Sequence, residues 1–156
     1  MGREVRRVPK DWEHPKNAEG MYIPLSDGYK DWVAGWDKEA ADWEAGIFPD
    51  YVSEESKSLS YEEYEGPRPD PEDYMPEWDE SEKTHYMMYE DTSEGTPISP
   101  AFETPEELAR WLADTGASAF GGSTASYEGW LRVANGGFAP SMVVIPGVGL
   151  VSGVDM

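Results

Sequence analysis

The feature that most constrains the fold is a pair of short amphipathic helices expected between residues 93 and 137. The first has Thr104 as a good N-cap, Pro105 at the first helical position and Glu107 at the third, which is a capping-box pattern. Gly116 is a residue that commonly ends a helix in left-handed backbone. One apolar face is made by Leu108, Trp111 and Leu112.

The second helix of the pair is expected to start near Ser123 or Thr124 and to stop at Asn135-Gly136-Gly137. Its apolar stripe is Tyr127, Trp130, Leu131 and Ala134. Helices of about 10–13 residues are marginal alone in water, so both must pack on each other and on a sheet. Trp111 and Trp130 are therefore expected in a core.

The rest of the C-terminal part, residues 84–156, also has regular patterns. Thr84–Glu90 is of strand type, residues 98–102 suggest a short edge strand, and Ser141–Ile145 with Leu150–Val154 predict a hairpin. Strands and helices do not alternate as βαβ units. We predict one α+β domain over residues 1–156, with about three amphipathic helices packed on a small antiparallel sheet and a long acidic, proline-rich loop.

The first ten residues are locally basic, with Arg3, Arg6, Arg7 and Lys10. They predict either a short edge strand or a frayed basic arm. The segment lacks the apolar stretch of a signal peptide, no 18-residue apolar run exists, and the chain has no cysteine. These features fit a cytosolic protein.

A third helix is predicted from a cap at Ser26 or Asp27 to about Ala45, with Gly46 and Ile47 closing it in a Schellman motif. It carries a heptad-like seam of aromatic side chains. The seam is either part of a core or half of a homodimer contact. Its aromatic members are Tyr29, Trp32, Trp36 and Trp43.

Half of all acidic residues lie between positions 50 and 94, where 16 acidic side chains face only three basic ones. The whole chain carries a formal net charge of −20. This charge repels nucleic acid and steers the protein towards basic surfaces. Within the acidic loop region, 50–83, Gly66–Asp79 has four prolines and is not expected to form regular secondary structure. The stretch is either disordered or a packed loop pinned by Tyr74, Met75 and Trp78, and we expect the loop.

Known catalytic patterns are absent from the sequence. His14 and His85 lie far apart, no phosphate-binding glycine loop or nucleophile elbow occurs, and the acidic residues lack the EF-hand pattern. We therefore predict a protein that is not an enzyme and has neither metal nor cofactor.

Dense carboxylates with interspersed aromatics instead suit a partner rich in arginine and lysine, because carboxylates accept arginine bonds and aromatic rings stack on guanidinium groups. The alternative is a solvated acidic loop. We predict the partner-binding residues to be Glu62, Glu63, Tyr64, Glu65, Asp70, Glu72, Asp73, Tyr74, Glu77, Trp78, Asp79 and Glu80.

Five stretches together resemble a family of small uncharacterised proteins carried by phages and other mobile elements. They are GREVRRVP, THYMMYE, EGTPISPAFETPEELARWLADTGASAFGG, TASYEGWL and APSMVV. The family's last motif has Trp where Phe138 stands. The resemblance implies a mobile-element origin. Small, acidic, cofactor-free proteins from that source are often inhibitors of host defence. From this class we expect a protein of the bacterial host cytoplasm that is similar to anti-CRISPR proteins and acts on the Lys/Arg-rich Cas subunits of a type I surveillance complex.

Three functions are weighed on this basis. The first is a non-enzymatic inhibitor that binds a basic surface of a host defence nucleoprotein complex, mimicking nucleic acid and blocking its entry or nuclease recruitment. The second is a phage structural or assembly protein that self-associates through the aromatic seam. The third is a carboxylate-dependent enzyme.

Overall fold

The chain divides into two compact units in a computed structural model. Unit 1 comprises Met1–Leu25 and Glu77–Met156, and unit 2 comprises Ser26–Pro76. The structure describes residues 2–90, 95–120, 122–136, 138–139, 142–147 and 149–155.

The strands of unit 1 are β1 Arg3–Val8, β2 His85–Glu90, β3 Thr96–Pro97, β4 Phe138–Ala139, β5 Met142–Ile145 and β6 Gly149–Ser152. Four of them form an antiparallel sheet in the order β3-β2-β1-β4. β1 pairs with β2 along its whole length, so that Arg3 lies opposite Glu90 and Val8 opposite His85. The other two, β5 and β6, form a separate antiparallel hairpin, as the sequence predicts.

The prediction of an edge strand or a frayed arm at the N-terminus is wrong, because β1 is paired on both sides. Arg3 is 2 % exposed and donates hydrogen bonds to the Ser118 carbonyl (2.9 Å) and hydroxyl (3.3 Å), beside an ion pair with Glu90 (3.3 Å). Arg6 is also buried and donates to the Leu25 carbonyl (2.9 Å). Both arginines are satisfied inside the unit, so their charge does not force the strand to the surface.

The prediction of a strand at 98–102 is wrong, because no strand covers these described residues. β3 covers only Thr96–Pro97, and Phe102 meets β2 in an isolated bridge with Tyr86. Between them the Ser99 hydroxyl accepts the Met88 N–H at 2.9 Å. The Ser99 hydroxyl therefore accepts a hydrogen bond that a backbone carbonyl would accept in a regular sheet, and the pairing is interrupted beside Pro100.

Two helices of unit 1 match the predicted pair, α3 at Pro105–Asp114 and α4 at Tyr127–Gly136. The Thr104 hydroxyl accepts the Glu107 N–H at 3.1 Å, so the predicted cap is confirmed. Gly116 has a φ of 67° and the Ala117 N–H bonds the Leu112 carbonyl, which closes α3 in a Schellman motif.

The start of α4 is later than predicted, because Ser126 caps it. The Ser126 hydroxyl accepts the Gly129 N–H at 3.1 Å and donates to Asp155 at 2.7 Å. An added Cβ on Gly129 would meet the Asp155 carboxylate and the Val154 carbonyl (2.7 Å). The chain end therefore packs closely on the first turn of α4.

The core of unit 1 lies between these two helices and the sheet. Trp130 is fully buried as predicted, whereas Trp111 is only partly buried against Phe102. The buried cluster is Met88, Leu108, Ala109, Leu112, Ala119, Trp130, Val133, Ala134, Ala139 and Val154.

Unit 2 contains helix α1 at Tyr29–Glu44, helix α2 at Tyr61–Glu65, and 3₁₀ turns at Ser56–Ser58 and Pro71–Asp73. The predicted cap at Ser26 or Asp27 is wrong, because the N-cap residue of α1 is Gly28.

Ser26 is instead engaged in a parallel bridge within this unit. Its N–H bonds the Asp73 carbonyl (3.0 Å), and its carbonyl accepts the Met75 N–H (2.8 Å). The two ends of unit 2 are thereby joined by backbone hydrogen bonds.

The C-terminal end of α1 follows the prediction. Gly46 has a φ of 79°, and the Ile47 N–H bonds the Asp42 carbonyl at 2.8 Å in a Schellman motif. The small core beside this helix end is made of Trp43, Val52 and Tyr61, with Trp36, Ala40, Phe48 and Tyr64 packed against it.

The predicted α+β class is confirmed, with four α-helices and a four-stranded antiparallel sheet in the described residues. Among those residues, no helix combines the length and apolar character that crossing a membrane requires.

Candidate partner-binding site

The predicted partner-binding residues fall in both units. Unit 1 holds Glu77, Trp78, Asp79 and Glu80, and unit 2 holds the others. The six predicted carboxylates of unit 2 are all exposed: Glu62, Glu63, Glu65, Asp70, Glu72 and Asp73. Short helical turns therefore present a row of carboxylates to solvent.

Two of these carboxylates also stabilise local structure. Glu63 forms a capping box with Ser60 at the start of α2. Asp70 accepts the Glu72 N–H at 2.9 Å and caps the turn at Pro71–Asp73. Substitutions at Glu63 or Asp70 would therefore disturb the fold as well as the charge.

The predicted aromatic anchors differ in how they are used. Tyr74 packs edge-on against Tyr29 at 5.2 Å between ring centroids, and Trp78 packs against Trp12 at 4.9 Å. Both are partly buried by these contacts. A partner would reach only their remaining exposed edges.

In unit 1, Glu80 is paired with Lys83 at 2.6 Å, and this bond holds the pKa of the Glu80 carboxyl below its usual value.

Among the described residues, no group of three or more His, Asp or Glu side chains is placed to hold a metal ion.

Unit 2 contains a pocket of about 280 Å³ next to Trp43, called here the Trp43 pocket. The end of α1, the turn that follows it and α2 provide its walls. The Schellman turn at Gly46 reverses the chain, so that residues 47–51 return beside the last turn of α1. The lining residues are Glu39, Asp42, Trp43, Ile47, Phe48, Pro49, Tyr51, Tyr61, Tyr64 and Glu65.

Aromatic packing fixes the walls of this pocket. Trp43 stacks on Tyr64 at 4.6 Å with an interplanar angle of 23° and meets Phe48 edge-on at 4.6 Å. The Trp43 Nε1–H donates to the Leu59 carbonyl at 2.8 Å, which fixes the indole. Tyr51, 81 % exposed, forms part of the rim.

Two carboxylates give the pocket a negative field. The Tyr61 hydroxyl donates to Glu39 Oε2 at 2.5 Å. The pKa of Tyr61 is raised by its burial, then by this bond and by the charges of Glu39 and Glu65. Both carboxylates therefore lie near the same hydroxyl, at the edge of a ring-lined cavity.

The net charge of unit 2 is unbalanced, with 15 acidic side chains against four basic ones in residues 26–76. Ion pairs within the unit include Lys38–Asp42 (3.2 Å), Lys57–Glu54 (2.7 Å) and Arg68–Asp37 (2.9 Å). The Arg68 pair lowers the pKa of Asp37. Asp42 of the pocket is thus paired with Lys38, and Glu39 and Glu65 are the other carboxylates of the lining.

The predicted aromatic seam of α1 is mostly used inside unit 2. Trp43 is 7 % exposed, Trp36 packs on Tyr61 at 5.1 Å, and Tyr29 packs on Tyr74. Trp32 differs, since it remains 64 % exposed. A homodimer contact on this face would therefore have to rely on Trp32.

A second pocket, of about 810 Å³, lies in unit 1 beside His14, and its lining includes Lys10, Trp12, Lys16 and Tyr22. His14 is 5 % exposed, and its Nε2 lies 2.6 Å from the Ile23 carbonyl. A carbonyl only accepts, so Nε2 carries the proton and the neutral ring accepts the Tyr89 hydroxyl at Nδ1 (3.0 Å).

The Tyr89 hydroxyl in turn accepts the Trp12 Nε1–H at 3.1 Å. Burial lowers the pKa of His14, and the nearby charge of Arg6 lowers it further, against the opposing bond to Ile23. Both ring nitrogens are thus used in internal bonds, which favours a structural role for His14.

The partner-binding residues predicted from the sequence do not include several residues of the Trp43 pocket, namely Glu39, Asp42, Ile47, Phe48, Pro49, Tyr51 and Tyr61. A signal was present, because Glu39 and Trp43 are four residues apart in α1 and share a face. Likewise Tyr61, Tyr64 and Glu65 recur at helical spacing in α2.

Comparison of the chain with protein-family models, with curated proteins and with solved structures finds no match.

Proposed function

We propose that this protein is a non-enzymatic inhibitor that binds a Lys/Arg-rich surface of a host defence nucleoprotein complex, in the manner of anti-CRISPR proteins. The observation that carries the proposal is the charge of unit 2. Its exposed carboxylates stand on folded turns, and acidic side chains outnumber basic ones by 15 to four in residues 26–76.

The physical basis is competition with nucleic acid. Proteins bind DNA and RNA by neutralising phosphates with lysine and arginine. A surface of ordered carboxylates makes charge-assisted hydrogen bonds to the same side chains. Binding of unit 2 would then block the nucleic-acid path or the recruitment of a nuclease.

Affinity capture from a bacterial lysate tests the proposal. The wild-type chain is expected to retain a nucleic-acid-binding protein, and retention should weaken at high salt because the contact is between charges. The variant Glu62→Lys/Glu72→Lys/Asp73→Lys is expected to lose it. These three carboxylates are exposed and belong to neither cap.

The control variant is Glu13→Lys/Glu19→Lys/Glu103→Lys, which makes the same change in net charge on exposed residues of unit 1. It should retain the partner. Equal retention by the two triple variants would remove unit 2 as the binding surface.

A phage assembly protein that self-associates is the second candidate, and the exposure of Trp32 favours it. Light scattering at micromolar concentration separates the two proposals. A dimer that Trp32→Ala converts to a monomer would support self-association, and a monomeric wild type would exclude it at that concentration.

A further inference from the structure

We propose that the Trp43 pocket receives the guanidinium group of one arginine of the partner, which anchors the surrounding charge contacts. This inference rests on the proposed function, since it names the group that the acidic unit recognises. The pocket combines aromatic walls, carboxylates at the edge and an open rim.

The aromatic walls suit a planar cation. Trp43, Phe48, Tyr51, Tyr61 and Tyr64 all contribute to the lining. A guanidinium group stacks on such rings and is less strongly hydrated than an ammonium group, so it enters an apolar pocket at lower cost. Hydrogen bonds and packing already hold Trp43 and Tyr64 in place.

The carboxylates provide the second requirement. Glu39 is positioned by the Tyr61 hydroxyl, and Glu65 lies on the neighbouring wall. The five N–H donors of arginine form a rigid fork that bonds carboxylates in two directions at once. The single ammonium of lysine would satisfy fewer of these groups.

The size of the pocket argues for one side chain. Pockets for small-molecule ligands usually enclose about 300–1,000 Å³. The Trp43 pocket, at about 280 Å³, lies just below that range. It has room for an arginine head and its stem.

The same kind of contact recurs inside unit 1. Arg6 lies over the ring of Tyr89 (4.3 Å to the ring centre), Arg7 over Tyr86 (4.2 Å) and Arg110 over Tyr127 (4.0 Å). In unit 2, Lys57 lies over Phe48 at the longer distance of 5.5 Å. The chain thus pairs arginine with tyrosine at short range in its own packing.

The test is an NMR titration of the full chain with N-acetyl-arginine methylamide. We expect chemical-shift changes at the Trp43 indole N–H and at the amides of Tyr64 and Glu65, with a Kd on the order of millimolar. The neutral isostere N-acetyl-citrulline methylamide should bind at least tenfold more weakly, because it lacks the charge.

Two conservative variants locate the site. Glu39→Gln keeps an oxygen that can accept the Tyr61 hydrogen bond but removes the charge, and Glu65→Gln changes an exposed residue. Each should weaken arginine binding at least fivefold. Glu44→Gln, an exposed residue on the same helix that does not line the pocket, should leave the Kd unchanged. The spectra themselves report whether each variant is folded.

Several results would overturn the inference. They are equal binding of citrulline and arginine, tighter binding of the lysine analogue, shifts that map away from the pocket, or no binding at all. The lysate capture separates this inference from the proposed function. If the Glu62/Glu72/Asp73 variant loses the partner while the arginine analogue does not bind to the wild type, the acidic binding surface is supported and the arginine site is rejected.

Discussion

At the residue scale, His14 shows how a histidine can serve the fold rather than chemistry. Its proton lies on Nε2 and bonds the Ile23 carbonyl, and Nδ1 accepts the Tyr89 hydroxyl. A second ring proton would point at the Tyr89 oxygen, which already accepts from Trp12. The site therefore favours the neutral ring.

This arrangement predicts a pH effect on stability. The pKa of His14 is lowered in the folded chain from its ordinary value of 6.5. Above that pH the ring is neutral in both states. As the pH falls below 6.5 the unfolded chain takes up the proton first, so stability is lost until the folded pKa is reached, by about 1.4 kcal/mol for each unit of lowering.

Urea unfolding between pH 7 and 5 checks this prediction. His14→Gln should reduce the loss of stability as the pH drops, because the titrating group is gone. An unchanged pH slope in the variant, or an NMR titration of the His14 ring with a pKa above 6.5, would contradict the account.

At Gly129, substitution by alanine is expected to lower the stability of the protein, whereas in most helix interiors it raises it. Alanine normally stabilises a helix interior by about 1 kcal/mol over glycine. At Gly129 the added methyl group would collide with Asp155 and the Val154 carbonyl, whereas nothing lies within 4 Å at Gly35 in α1. Gly129→Ala should therefore destabilise by about 1–3 kcal/mol, and Gly35→Ala should stabilise.

Chemical denaturation of the two glycine variants gives the comparison directly. Stabilisation by both substitutions would mean that the segment at 153–155 does not pack on α4 as described.

At the scale of elements, β1 determines the middle of the sheet in unit 1. Arg3 is 2 % exposed and bonds Ser118 and Glu90, whereas Arg7 is exposed and bonds the Lys83 carbonyl. Glu90 is 23 % exposed, so the main loss at Arg3 is that of its hydrogen bonds. A hydrogen bond to a charged group is typically worth about 1.5–3 kcal/mol, and an exposed contact about 1 kcal/mol or less.

Arg3→Ala should accordingly destabilise the protein far more than Arg7→Ala, as thermal or urea unfolding will show. Similar small losses in the two variants would indicate a loosely attached N-terminal segment instead of a central strand.

The sequence predicts elements well where the signals are local. The cap at Thr104, the glycine-terminated ends of α1 and α3, and the hairpin of β5 and β6 all depend on neighbouring residues. β1 could not be placed in this way, because Arg3 is satisfied by Ser118, which lies 115 positions away. The start of α4 was missed for a similar reason, since Ser126 bonds Asp155 from the end of the chain.

At the scale of the whole molecule, the net charge of −20 shapes the expected partner. The sequence identifies the acidic residues but not how they are divided, since Glu77–Glu80 belong to unit 1 and the others to unit 2. In the sequence, the aromatic seam of α1 and the acidic region are separate stretches. In the folded chain, Trp43 of the seam and Tyr64 and Glu65 of the acidic region line one pocket. Local sequence patterns do not predict such contacts between segments that are distant in the sequence.

We propose that the carboxylates of unit 2 cover the surface of the partner to which nucleic acid would otherwise bind. Fluorescence anisotropy of a labelled nucleic acid bound to the captured partner tests it most directly. The wild-type chain and the Glu13/Glu19/Glu103 control variant should displace the nucleic acid, less efficiently as salt rises, and the Glu62/Glu72/Asp73 variant should not. Nucleic acid that stays bound at saturating wild-type protein, or equal displacement by the Glu62/Glu72/Asp73 variant, would contradict the claim.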